Sequence, residues 1–230
     1  MSETAAERST ASGVRGRLTR SSGKFLRAQD FEGSHSAVLR ELSRRAAAGD
    51  LRHVHKGLYW CGPKTMLGMA PPAPLELVQE LAGTAGVGPA ESSAALALGL
   101  STQHPRRETF AVATRPPRCD DARLVIKDRS GREGRRAQKL NANEVAVLEV
   151  LADWPRVIEL PREQAVDRLV GVVSSDAVRP AKLARAAKDE PAVVREGLRG
   201  LFVRGGLQAA AQLIPPAQDP KIRDRALVVA

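Results

Sequence analysis

The residues with the clearest chemical capacity lie between positions 34 and 56. Arg40 and Arg44 are four apart, which puts them on one helix face, one turn from each other. Arginine donates paired hydrogen bonds to phosphate, or to O6 and N7 of guanine. Ser34, His35 and Ser36 stand one turn earlier. At a helix start their N–H groups lack intrahelical partners and suit an anion. Arg52, His53, His55 and Lys56 follow in a strand-like stretch. His53 and His55, two apart, share one face of a strand. With Cys61 they have the makings of a metal site, yet side chains aimed at phosphates are the simpler reading, and no metal is expected. The chemistry on offer is recognition of a polyanion.

Bond-making constellations are missing. Gly16 and Gly23-Lys24 are separated by six residues where a Walker A loop needs four. Gly86-x-Gly88 begins like a dinucleotide fingerprint, but Pro89 follows and Glu91 stands where the third glycine belongs. No Gly-x-Ser-x-Gly elbow occurs. Cys61 and Cys119 have no zinc-finger spacing. His104 reads as a loop residue, Asp120, Asp121 and Glu144 as caps or solvated acids, and Asp153 as a helix terminus. The chain is therefore expected not to be an enzyme, with no catalytic residues and no cofactor.

The elements that must position these side chains are legible in outline. A polar tail is expected over 1–12. A helix over 12–21 follows, with Val14 and Leu18 on one face and Gly23 at its end. Phe25 and Leu26 open a short second element, with one or two helical turns from Ala28 to Phe31. Ser34 and Ser36 are N-cap candidates for a helix over 36–48. Val38, Leu39, Leu42 and Ala46 make its buried stripe, and Ser36, Arg40, Ser43, Arg44 and Ala47 its outer side. Gly49 sits at the C-terminal position. Residues 51–60 read as a two-stranded hairpin turning at Lys56-Gly57, with Leu51, Leu58 and Tyr59 in the core. Trp60 is either core or a linker contact. Helix, short helix, capped helix and hairpin, in that order, describe a winged helix-turn-helix at 13–62.

Residues 63–73 are proline-rich and read as a linker. From 74 a second domain is expected, mainly helical with a small β-sheet, so the fold class is α+β. A helix starts at Pro74, a loop spans 83–88, and an alanine-rich helix covers 91–98. Strands are expected at 109–114 and 123–127. Residues 128–139 read as polar, basic and exposed. Everything from Asn141 onward reads as helical, punctuated by Pro155, Pro161, Pro180 and Pro191.

Composition fits an ordered chain with a nucleic-acid partner. The 230 residues are 43% hydrophobic and 3% aromatic, with a net charge of +10. Residues 1–62 hold 11 Lys/Arg against 6 Asp/Glu, so a quarter of the chain carries half the net charge. A second basic run, 115–139, holds nine Lys/Arg against four acids. No run approaches the roughly eighteen apolar residues of a membrane span. The polar start, MSETAAERSTASG, excludes a secretory signal, and two cysteines cannot frame a disulfide scaffold. A cytoplasmic location, away from membranes, is expected.

Residues 25–60, with Asp30-Phe31, Ser36-x-Val38-Leu39-x-x-Leu42 and Gly49-x-Leu51-x-x-Val54-x-x-Gly57-x-Tyr59, resemble the N-terminal domain of AbiEi-family antitoxins. The run Pro89-x-x-Ser92-x-Ala94-Ala95-Leu96-x-Leu98-Gly99-Leu100-Ser101-Thr102-Gln103-x-Pro105 looks like that family's characteristic stretch, most specifically over 98–105. The likeness covers roughly 13–175, and the last fifty residues match no motif. It implies a type IV toxin–antitoxin, or abortive-infection, system for phage defence. The N-terminal domain would repress its own promoter at inverted repeats of double-stranded DNA. The remainder, 74–230, would be an antitoxin domain countering a cognate nucleotidyltransferase toxin. The family's DNA contacts map onto Ser34, His35, Ser36, Arg40, Arg44, Arg52 and Lys56, and His55 joins them from the hairpin reading. This chain departs in its basic second domain, where Arg115, Arg118, Arg129, Arg132, Arg135 and Arg136 would extend the DNA footprint or meet an acidic partner. The small residues 92–96 read most simply as a close-packed helix. The competing reading is an interaction module acting on the toxin, or on RNA, without specific DNA binding.

Overall fold

A computed structural model describes residues 16, 18 and 21–226 of the chain. The tail expected at 1–12 and most of the helix expected at 12–21 lie outside the described residues. The chain divides into two compact units, Met1–Glu76 with Arg118–Asp120, and Leu77–Pro117 with Asp121–Ala230. Both α and β elements are present, as the composition and periodicity imply.

The first unit has a three-stranded antiparallel sheet with a helix packed on it. Strands β1 (Lys24–Arg27), β2 (Arg52–His55) and β3 (Leu58–Cys61) pair in the order β1-β3-β2. Helix α1 (His35–Ala47) presents Val38 and Leu42, both fully buried, to Leu26, Leu51, Tyr59 and Cys61. The apolar stripe read from the sequence is that buried face. A strand at Lys24–Arg27 was not expected. The residues read as the start of a helical element form a strand, and only Ala28–Asp30 makes a turn of 3-10 helix. Four residues are too few to show alternation, and the strand exists because it pairs with β3, more than thirty residues away.

The stretch expected to be a linker is folded onto this sheet. Lys64–Thr65 (β4) and Gly68–Met69 (β5) form a second small hairpin. Trp60 donates its indole N–H to the Ala70 carbonyl at 2.7 Å and packs against Phe25 at 4.8 Å between ring centroids. Trp60 is thus a core residue that also holds residues 63–70 in place. Gly62 permits this: a Cβ there would lie 2.3 Å from both the Ala70 oxygen and the Trp60 nitrogen.

The second unit wraps helices around α5 (Ala142–Val157), preceded by α2 (Pro74–Ala82), α3 (Glu91–Ala97) and α4 (Glu133–Ala137). Residues 145–151 of α5 are buried on every side, the mark of a central helix. Beside it lies a three-stranded sheet of β6 (Val87–Pro89), β7 (Glu108–Val112) and β8 (Leu124–Asp128), with β6 antiparallel and β8 parallel to β7. The loop expected at 83–88 therefore ends in a strand. Its signal was Gly88, where a Cβ would lie 2.6 Å from the Ala142 carbonyl oxygen, because α5 starts against that backbone. Helices α6 (Arg162–Val173), α7 (Pro180–Ala186), α8 (Ala192–Arg204), α9 (Gln208–Ala211) and α10 (Pro220–Ala226) complete the unit. Asp153 breaks α5 with φ −114° and ψ 15°, two residues before Pro155, so the terminus expected there is a kink within the element.

Residues 128–139 are exposed in the main, as expected, but Arg129, Arg132 and Arg135 are not. Arg135 is fully buried. It donates to Glu190 at 2.6 and 3.0 Å and to Glu149 at 2.6 Å. Arg129 grips Glu149 with two bonds of 2.9 Å, and Arg132 reaches Glu190 at 2.7 Å. Burial pushes the Glu149 carboxyl up, but Arg129 and Arg135 more than reverse this and hold it below the usual carboxylate range. The two acids lie 14 and 55 residues from Arg135, so no local pattern announces the cluster.

Candidate nucleic-acid interface

Helix α1 carries the candidate residues because its start and its inner face are both fixed. Ser34 is the N-cap, and its hydroxyl accepts from the Ala37 N–H at 3.3 Å. The Val38 N–H goes to the Ser34 carbonyl. The first-turn N–H groups of His35 and Ser36 remain directed outward, with the positive end of the helix dipole behind them. With Val38 and Leu42 held inward, Ser36, Arg40 and Arg44 follow one another on the exposed face. Successive members are about 6 Å apart along the axis, four residues at 1.5 Å each.

The hairpin supplies the second group. His55 pairs with Leu58, so Lys56-Gly57 forms a two-residue reversal. Gly57 takes the left-handed conformation the turn requires, at φ +72°. The register shifts between His53 and His55, so the two histidines are not equivalent positions on a regular strand face. His53 packs edge-on to Tyr59 at 5.3 Å, and the Tyr59 hydroxyl meets Ser43 Oγ of α1 at 3.0 Å. Arg52, His55 and Lys56 are exposed. Cys61 is buried, its thiol 3.7 Å from the Leu18 carbonyl oxygen. Among the described residues, no group of three His, Cys, Asp or Glu could hold a metal ion.

All eight residues singled out from the sequence, Ser34, His35, Ser36, Arg40, Arg44, Arg52, His55 and Lys56, belong to this one unit and are exposed. Arg44 has its charge engaged within the helix. Its guanidinium pairs with Glu41, a buried acid that also accepts from Arg45 at 2.8 Å. Arg45 continues to Asp50 at 3.2 Å, and Lys64 of β4 reaches Asp50 at 3.0 Å. Lys64, then Arg45, hold the Asp50 carboxyl below its ordinary range. The chain Glu41–Arg45–Asp50–Lys64 fastens the end of α1 to the second hairpin. Glu41 was not singled out from the sequence, although its spacing of three and four from two arginines is the helical ion-pair signal.

The basic run 115–139 contributes less than its composition suggests. Arg129, Arg132 and Arg135 are turned inward, while Arg115, Arg118 and Arg136 are exposed. The stretch 92–105 is packed in part, with Ala97, Gly99, Thr102, Gln103 and His104 exposed. Ser93, Ala94 and Ala95 are buried, and Ser93 Oγ accepts from the Thr109 N–H at 2.9 Å. Glu159 accepts from Ser101 Oγ and the Thr102 N–H, both at 2.8 Å.

No protein-family model and no curated protein matches the chain. Among solved structures, the chain is similar to the RV2827C protein of Mycobacterium tuberculosis, with 18% identity, 94% of this chain and 81% of that one covered, and a TM-score of 0.48. A likeness of that degree carries no argument. No helix among the described residues is long and apolar enough to cross a membrane.

Proposed function

We propose that the first unit is a winged helix-turn-helix that binds double-stranded DNA, and that the chain is the autorepressor and antitoxin of a toxin–antitoxin system. The observation that carries the DNA reading is the outward row Ser36–Arg40–Arg44 on a capped helix, joined in one small unit by the exposed Arg52, His55 and Lys56 of the hairpin. A helix of this kind lies in the major groove and reads base edges, while the hairpin holds backbone. The sheet order β1-β3-β2 behind α1 supports the same assignment. Arg40 is the foremost base-reading residue. Arg44 reads with the donors that Glu41 leaves over. The His35 and Ser36 N–H groups, Arg52, His55 and Lys56 take phosphates.

The antitoxin half rests on the resemblance of residues 89–105 to the AbiEi family. Ala94, Ala95, Leu98 and Leu100 of that run are packed inside the unit, while Ala97, Gly99, Thr102, Gln103 and His104 are exposed. The cytoplasm is the compartment that suits both halves.

The test is a mobility shift with DNA from upstream of the chain's own gene against scrambled DNA, at about 150 mM salt. A promoter preference of about a hundredfold or more is expected. With about six phosphate contacts, affinity should fall roughly a thousandfold between about 50 and 200 mM salt. Equal, weak binding to both DNAs would overturn the repressor reading.

A further inference from the structure

A cleft of about 340 Å³ opens in the second unit. Arg185 of α7, Lys188 of the 3-10 turn Ala187–Asp189 and Arg195 of α8 supply its charge. Leu213, Ile214, Pro215, Ala184 and Gln138 complete the lining. No acid lines it. This is not for want of acids nearby, because each is turned elsewhere. Asp189 Oδ2 accepts from the Gly134 N–H at 2.6 Å. Glu190 is held by Arg132 and Arg135. Glu196 accepts from Arg199 and from the Ala217 N–H. Arg185 and Lys188 have no ion-pair partner among the described residues, and Arg195 donates only to the Lys188 carbonyl, at 3.3 Å. The floor is apolar, and Leu213 keeps 45% of its surface exposed, one of four large apolar side chains so exposed among the described residues.

We propose that this cleft is a docking site for an acidic segment of a partner protein, one that sets carboxylates against Arg185, Lys188 and Arg195 and an apolar side chain against Leu213 and Ile214. Charge complementarity selects the partner's sign. The apolar floor selects a peptide over a nucleic-acid strand. Single-stranded nucleic acid is bound by stacking bases on aromatic rings, and the cleft has none. A rim of uncompensated cations around an apolar patch is the layout of a protein–protein interface. The inference deepens the antitoxin half of the proposed function and rests on it only for who the partner is.

The test uses the full chain and a fluorescein-labelled peptide of alternating Glu and Leu, read by anisotropy. The controls are the same peptide with Gln for Glu, the same peptide with Ser for Leu, and an oligothymidylate. The Glu/Leu peptide should bind saturably and at least about tenfold more tightly than either control peptide. The pair Arg185→Glu and Lys188→Glu should weaken it by about tenfold or more. Leu213→Ser should weaken it roughly three- to tenfold, the worth of burying about half a leucine side chain. All three substitutions fall on exposed side chains, so promoter binding and circular dichroism should stay unchanged and report that the chain is folded. Oligothymidylate binding as tight as the peptide and indifferent to Leu213→Ser would overturn the proposal in favour of a polyanion site. Absence of saturable peptide binding would overturn it outright. Neither result depends on whether the first unit binds its promoter.

Discussion

In the first unit, Arg40, Arg44 and Arg52 stand on the outside of a helix and a hairpin; in the second, Arg129, Arg132 and Arg135 turn inward onto Glu149 and Glu190. Both stretches are rich in arginine. The difference is where the acids are. Helix α1 has one acid of its own, Glu41, which pairs with Arg44 and Arg45, while Arg40 and Arg44 both stay on the exposed face. The 128–139 stretch meets two buried carboxylates, Glu149 of α5 and Glu190 just after the 3-10 turn, and these engage Arg129, Arg132 and Arg135 inside the unit. A count of basic residues measures a capacity to bind anions, and the fold decides whether the anion is a phosphate or the chain's own glutamate.

Removing the inward arginine should have the largest effect. Arg135→Ala leaves Glu149 and Glu190 buried with fewer donors, and breaking such a cluster costs about 3–5 kcal/mol. Urea denaturation followed on a Trp60→Phe background reads this unit, because Trp154 is then the sole tryptophan. A loss under about 1 kcal/mol would show that the buried network contributes little. Acid should probe the same cluster without mutation. The Glu149 and Glu144 carboxyls are both held below their ordinary range, by Arg129 and Arg135 in one case and Arg179 in the other, against the upward push of burial. Their contribution is complete above the unfolded carboxylate pKa, near about 4.3, and is lost as pH falls through the lower folded values. The melting temperature of the Trp154 transition should therefore drop on going from about pH 5 to pH 3, and Arg135→Ala should flatten that drop.

The outward arginine should show in binding rather than in stability. Arg40→Ala should cost promoter affinity about 1–3 kcal/mol and relax preference at one base position, read by mobility shifts against base-substituted promoters. Lys56→Ala should be smaller and of a different kind. It should weaken all DNA sequences alike and lower the salt slope by about one. Unchanged affinity in both variants would detach α1 and the hairpin from DNA altogether.

What could be read from the sequence follows the same division. Local devices were legible: the cap at Ser34, the stripe Val38–Leu42, the reversal at Lys56-Gly57, and helices punctuated by Pro161, Pro180 and Pro191. All eight candidate residues of the interface came from such local patterns. What escaped depends on distant partners. Strands β1 and β6 are four and three residues long and exist through their pairing with β3 and β7. The residues expected to be a linker order themselves on Trp60. The burial of Arg135 is written at positions 149 and 190, where glutamates in helical surroundings look like ordinary surface acids.

Arg136 sharpens the comparison to a single residue step. It follows Arg135 on the short helix α4, and neighbours on a helix point about 100° apart. That rotation carries Arg136 from the buried network to solvent, where it makes no ion pair among the described residues. Arg136→Ala should change stability by no more than about 0.5 kcal/mol, the range for an exposed side chain. It should also leave promoter affinity intact, since it belongs to the second unit. Two identical residues, adjacent in sequence, would then differ by several kcal/mol in the same denaturation experiment. A loss for Arg136→Ala as large as that for Arg135→Ala would mean that the basic run acts as a general counter-charge to the unit's acids, and that the specific bonds of Arg135 are not what stabilises it.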